Sequence, residues 1–284
     1  MTQPFDRDIS QLVKELTLHP EGTDSFRGDV TQNEGRLFGG LVLAQSLMAA
    51  GRTVEDRTIH SLHAYFLRAG KPATPISFGV ERIREGRNFE TRRVTAVQAG
   101  DTIFETSVSF TKLEDGISHQ RPMPEAPDPE GLPDWWASIR LPESLPQMRG
   151  RRRWANPIDI RSCDNPSQKP APGQLPTRMV WTRPSSPLPE DPLIHAAAMV
   201  YMSDSGMVGT VGNHYGMWMP GGASASLDHA MWWHHPPRFD DWLLYCTESP
   251  AAHAARAVTF GHIYTREGVL VASVAQEALF RRPA

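Results

Sequence analysis

The chain has 284 residues, 39% of them hydrophobic and 21% charged, with a formal net charge of −3 at neutral pH. That composition is globular, and the length suits one large domain or two ordinary ones. It excludes a field strong enough to make nucleic acid or an anionic membrane the dominant partner, and favours small-molecule chemistry.

Residues 1–10 are acidic and polar where an export signal needs a basic stretch and then an apolar run, so the expected location is the cytoplasm. No stretch approaches the roughly 18 to 20 apolar residues of a membrane span, and insertion is not expected. Phe38-Gly39-Gly40 opens an apolar run at residues 41–50 (LVLAQSLMAA), broken only by Gln45 and Ser46. Apolarity all round predicts a helix buried within a domain. Strand-like segments follow at residues 60–68, 76–84, 89–98 and 102–112. In the last of these Phe104, Thr106, Val108 and Phe110 alternate with Glu105, Ser107 and Ser109, the pattern of a half-buried antiparallel strand.

Prolines then cluster between Pro122 and Pro192 and predict a connector between two halves. Trp135, Trp136, Ile139 and Leu141, and later residues 178–183 (RMVWTR), give it enough apolar surface to pack. Arg149 and Arg151 to Arg153, beside Trp154, read either as phosphate contacts or as a solvated linker. Cys163 and Cys246 have no C-x-x-C spacing; they imply neither a disulfide framework nor a zinc site and read as packing residues. Residues 193–202 (LIHAAAMVYM) are again apolar nearly all round, and strand-like segments follow at 223–234, 242–248, 255–264 and 269–280. One buried helix followed by four strands, twice, implies a duplicated α+β unit in which a sheet wraps its helix. The expected division is 1–113, a connector at 114–153, and 154–284.

Three polar residues need weighing. In the final strand Leu270, Ala272, Val274, Gln276, Ala278 and Phe280 share one side, and Gln276 is the odd member. Buried without a partner it would cost about 1–3 kcal/mol, so it is either a bridge to nearby backbone or part of a site. Asp204 directly follows the second apolar segment. If the helix ends there the carboxylate meets the negative end of the dipole, and it reads either as an Asx-turn with Ser205 and Gly206 or as a general base made more basic by burial. Ser226 stands among Ser224, Asp228 and His229, and spacing singles out none of them; Asp228 and His229 read as an exposed pair. Trp218, Trp232 and Trp233 read as core rather than as the lining of a tunnel. There is no G-x-S-x-G elbow and no H-E-x-x-H, and Gly206, Gly209 and Gly212 match no nucleotide fingerprint. Neither a metal nor a cofactor is expected.

Taken together, RLFGGLVLAQ at 36–45, HSLHAYFLRAG at 60–70, RNFETRRV at 87–94, YMSD at 201–204, LDHAMWWH at 227–234, WLLY at 242–245 and GVLVASVAQE at 268–277 resemble the type II acyl-CoA thioesterases, in that family's order. The resemblance runs from Phe26 to Phe280 and is weakest in the proline-rich connector. It implies a double hotdog, two fused hotdog domains forming a pseudo-dimer, with acyl-CoA as substrate and no nucleic-acid partner. It also implies that Asp204, Ser226 and Gln276 are the hydrolytic residues, Ser226 standing where some members have Thr. Gly39-Gly40 is implied as a helix N-terminus that supplies N–H groups to an oxyanion. The first half offers Ser107 and Ser109 in its last strand in place of the Asp/Gln combination, so one catalytic and one scaffolding half are expected, with further association through the sheets. The rival readings are a hotdog-type enoyl-CoA hydratase, whose D-x-N-P-x-H is missing around Asp204 and His214, and a non-catalytic acyl-CoA binding module.

Overall fold

The computed structural model describes residues 9–33, 35–135, 157–164, 171, 173–215 and 223–281. Trp136, Ile139, Leu141, Arg149 and Arg151 to Arg153, Trp154 and Trp218 lie outside the described residues.

The alternating segments pair as expected, and each half gains strands ahead of its buried helix. The first half runs α1 (Ile9–Leu16), β1 (His19–Gly22), β2 (Ser25–Gly28), α2 (Gly39–Gly51), β3 (Thr58–Phe66), β4 (Ile76–Glu85), β5 (Phe89–Gln98) and β6 (Asp101–Thr111). The second runs β7 (Ile158–Ser162), β8 (Thr177–Pro184), α3 (Pro192–His214), β9 (Ala223–Ser226), β10 (Asp228–Trp233), β11 (Leu243–His253), β12 (Arg256–Thr265) and β13 (Leu270–Arg281). All pair antiparallel into a single sheet of order β1-β2-β4-β5-β6-β3-β10-β13-β12-β11-β8-β7, with β9 also on β13. From the β3–β10 seam outward the two halves repeat the same order, β3-β6-β5-β4-β2 against β10-β13-β12-β11-β8. This is the double hotdog.

Both central helices lie on the inner face, and α2 is buried on every side from Gly40 to Ala50. They run antiparallel. The first turn of α2 meets the middle of α3 at Tyr201, and Gly51 at its far end touches Leu193 in the first turn of α3. Only a glycine permits the first contact, since a Cβ on Gly40 would stand 2.6 Å from the Tyr201 carbonyl oxygen.

Two expectations about α3 and its following strand fail. The helix does not end at residue 202 but continues to His214, so Asp204 sits inside it rather than at its negative end. The helix runs through Gly206, Gly209 and Gly212; Gly206 packs against the Arg178 guanidinium and the Tyr245 ring, whereas a Cβ on Gly209 would meet nothing within 4 Å. The expected strand at 223–234 is two strands with a break at Leu227, whose N–H donates to Glu277 O and whose carbonyl accepts from Phe66 N. Residues from 120 to 132 lie across the outer face of the second half. Met123, Ala126 and Leu132 pack on Trp181, Trp242 and Tyr264, and the Gln120 side chain bonds Gly268 O and Leu270 N. Cys163 and Cys246, both free, sit in that same cluster. Among the described residues no helix is long and apolar enough to cross a membrane.

Candidate active site

Four elements converge where the first turn of α2 meets α3. Asp204 comes from α3, Ser226 from the end of β9, Gln276 from the inward face of β13, and the backbone of Gly40 from α2. The break at Leu227 matters here. It lets β9 pair with β13 at Ser226↔Ala278 while β10 pairs with it separately from Ala230↔Ala275, which leaves Ser226 beside Gln276.

The bonds form a chain. Gln276 Nε2 donates to Ser226 Oγ (2.9 Å), and Ser226 Oγ donates to Asp204 Oδ1 (3.3 Å). The Gly40 N–H also bonds the Asp204 carboxylate. On the other side of Gln276, Oε1 lies 2.6 Å from His229 Nδ1, and His229 Nε2 lies 2.9 Å from Ser203 Oγ. Asp204 is 8% exposed, Gln276 1% and His229 0%. Burial pushes the Asp204 carboxyl above its ordinary range, while His229, the Gly40 N–H, Ser226 and Gln276 pull it back. Burial holds His229 below the ordinary histidine range, and Asp204 opposes that shift.

All three residues singled out in the sequence, Asp204, Ser226 and Gln276, therefore share one site. His229 is a correction: it is not half of an exposed pair but a fully buried member of the network. Strict alternation signals this, because His229 shares the inward side of β10 with Met231 and Trp233, while Asp228, Ala230 and Trp232 face outward. Asp228 instead accepts from the Glu277 N–H (2.6 Å). Trp233 is buried, but Trp232 is 37% exposed on the outer face.

The pseudo-equivalent position in the other half is closed. Helix α2 begins at Phe38, which supplies no side-chain cap, and the Gly40 N–H of its first turn is met by Asp204 of the site. Helix α3 begins at Asp191, whose Oδ1 accepts from Leu193 N (2.9 Å) and whose Oδ2 accepts from Arg52 Nη2 (2.9 Å). Ser107 and Ser109 point outward on β6; its inward residues are Phe104, Thr106, Val108 and Phe110. Thr106 Oγ1 is spent on His63 O.

A double hotdog with a buried carboxylate–hydroxyl–carboxamide chain against the start of a central helix is the class of protein these features define. Family models agree half by half: residues 27–111 match the acyl-CoA thioesterase N-terminal domain and residues 155–279 match acyl-CoA thioesterase. Acyl-coenzyme A thioesterase 8 of Mus musculus is 38% identical, over 94% of this chain and 87% of its own. Acyl-CoA thioesterase 2 of Haemophilus influenzae is 34% identical, over 96% and 98%. The solved structure of acyl-CoA thioesterase II TesB2 from Mycobacterium marinum superposes with a TM-score of 0.81 at 41% identity, covering 96% of this chain and 99% of that one. The chain belongs to the type II acyl-CoA thioesterase family and is a thioesterase.

Proposed function

We propose that the protein hydrolyses acyl-CoA thioesters to the free acid and CoA, using a water activated by Asp204. The water oxygen bonds to the carbonyl carbon as Asp204 takes its proton. The tetrahedral oxyanion then collapses, the carbon–sulfur bond breaks, and the leaving thiolate recovers a proton to give CoA. Ser226 and Gln276 orient the water. The first turn of α2, whose Gly40 N–H is held by the Asp204 carboxylate, contributes the positive end of its dipole beside the oxyanion. The observation that carries this reading is the Ser226 hydroxyl, bonded at once to Asp204 and to Gln276 beside the start of α2. Raised basicity at Asp204 suits a general base, since a carboxylate at its ordinary pKa holds a proton poorly at neutral pH. The division into residues 1–113, 114–153 and 154–284 belongs to the same reading, with the acid, hydroxyl and carboxamide all on the last part.

A hydratase reading has one observation in its favour, a histidine close to the acid. Both nitrogens of His229 are occupied by Gln276 and Ser203, however, so the ring has no free atom to exchange protons with a substrate. His214 stands at the end of α3 with its ring against Tyr215, away from the network.

The test is thiol release from acyl-CoAs of increasing chain length by the parent protein and by Asp204→Asn. Hydrolysis that depends on chain length and falls at least about 10²-fold in the variant supports the reading. Tight acyl-CoA binding without turnover in the parent would make the protein a binding module, and near-parental turnover in the variant would remove Asp204 from the chemistry.

A further inference from the structure

His229 is the most deeply buried titratable group near the site, and the chemistry just described makes no use of it. Its surroundings fix its role through donor and acceptor arithmetic. An ionised Asp204 can only accept, so the single proton of Ser226 goes to Oδ1. One of the two Ser226 lone pairs takes the amide N–H of Gln276, which turns Oε1 of that carboxamide toward β10. A carbonyl oxygen also only accepts, and the atom 2.6 Å from it is His229 Nδ1, which therefore carries a hydrogen. Nε2 of the neutral ring lies 2.9 Å from Ser203 Oγ, one residue before Asp204 on α3, and shares that single hydroxyl hydrogen with the Val200 carbonyl oxygen, also at 2.9 Å.

We propose that His229 is the positioning residue that sets which way round the Gln276 carboxamide faces, and thereby keeps the proton order of the site pointing at Asp204. The proposal rests on the roles given above to Asp204, Ser226 and Gln276. A carboxamide turned over would set its oxygen against Ser226 and take the hydroxyl proton away from Asp204. It would also withdraw the N–H that orients the water. The Nδ1–H of His229 makes the turned form unfavourable by facing it with a second donor. Because the ring spans from β10 to Ser203, it also ties the strand that bears it to the helix that bears the base. The other charged group on its strand, Asp228, is engaged on the outer side by the Glu277 N–H.

Two polar substitutions separate this role from packing. The side-chain nitrogen of Asn reproduces the position of Nδ1, and that of Gln reproduces Nε2. His229→Asn keeps the donor toward Gln276, whereas His229→Gln keeps the contact with Ser203 and loses it. Turnover of an acyl-CoA is measured for both, for Gln276→Ala and for the His229→Gln/Gln276→Ala double variant, with thermal unfolding alongside. We expect His229→Gln to lower kcat roughly 10- to 100-fold with KM nearly unchanged, the cost of a misplaced group in the attacking geometry. His229→Asn should stay within a few-fold of the parent, although it is the poorer match in size. In the Gln276→Ala background His229→Gln should cost almost nothing more. If Asn is as poor as Gln, or if the two losses multiply in the double variant, His229 does not act through Gln276 and the proposal is overturned. Undiminished turnover in Gln276→Ala alone would instead overturn the role given to Gln276.

Discussion

Asp204 carries its charge at 8% exposure, and its setting works against that charge even though several donors converge on it. Its folded-state pKa lies above the ordinary 3.8, so the folded protein holds this proton more tightly than the unfolded chain does. Stability therefore falls as the pH rises from 3.8 through the folded-state value, and the cost persists at neutral pH. Asp204→Asn should melt above the parent at neutral pH, and the gain should vanish below pH 3.8, as calorimetry across that range would show. With Asp204 as the proposed base, kcat/KM in the parent should fall as the pH drops through the same raised value, because only an ionised carboxylate can accept a proton from water. Gly40 offers a second check. A Cβ there would collide with the Tyr201 carbonyl oxygen at 2.6 Å, and backbone cannot turn aside as a side chain can. Gly40→Ala should move the start of α2 off α3 and lower kcat by about tenfold or more, with circular dichroism unchanged. Gln276 was legible as a polar residue on an apolar face, whereas the place of Ser226 beside it was not, because residues 226 and 276 meet only through strand pairing.

The two central helices begin differently. Asp191 spends its carboxylate on the start of α3 and on Arg52, while Phe38 gives α2 no cap and Asp204 takes the Gly40 N–H instead. Asp191→Ala should destabilise the protein by about 1 kcal/mol in urea titration, leaving thiol release within a few-fold of the parent. The tight turn between β11 and β12 is Ala254-Ala255, with φ of 49° and 60°, a left-handed pair that β-carbons disfavour. Ala255→Gly should raise the unfolding free energy by about 1 kcal/mol without changing turnover. Helix α3 is where local reading went astray. The apolar run stops at residue 202, yet the helix continues to His214, with Gly206 packed against Arg178 and Tyr245, and so keeps Asp204 in the interior.

At the scale of the molecule the halves are joined by more than the chain. The sheet continues across β3 and β10, from Asp228↔Tyr65 to Trp232↔Ser61, and α2 packs along α3 beneath it. The covalent link is incidental to that union, and Ile117 within it is 97% exposed. A protease site inserted at residue 117 should yield a nicked protein that elutes as one species on size exclusion and keeps its turnover. Separation of the fragments would show that the seam cannot hold without the connector. The site itself spans the seam, because Gly40 belongs to the first half and Asp204, Ser226 and Gln276 to the second.

What the sequence by itself determined is what depends on near neighbours. Period-two alternation marked β6 and β13, all-round apolarity marked α2 and the first part of α3, and their recurrence in the same order revealed the duplication. The motifs from Arg36 to Glu277 then pointed to the family and to Asp204, Ser226 and Gln276. Only the tertiary structure decided that α3 runs on to His214, that β9 and β10 part at Leu227, and that His229 faces inward against Gln276 and Ser203. It also decided that the helix start of one half bonds the acid of the other, through the Gly40 N–H and Asp204. Each of these turns on a contact between residues far apart in sequence, whose free energy outweighs the local preference of the chain.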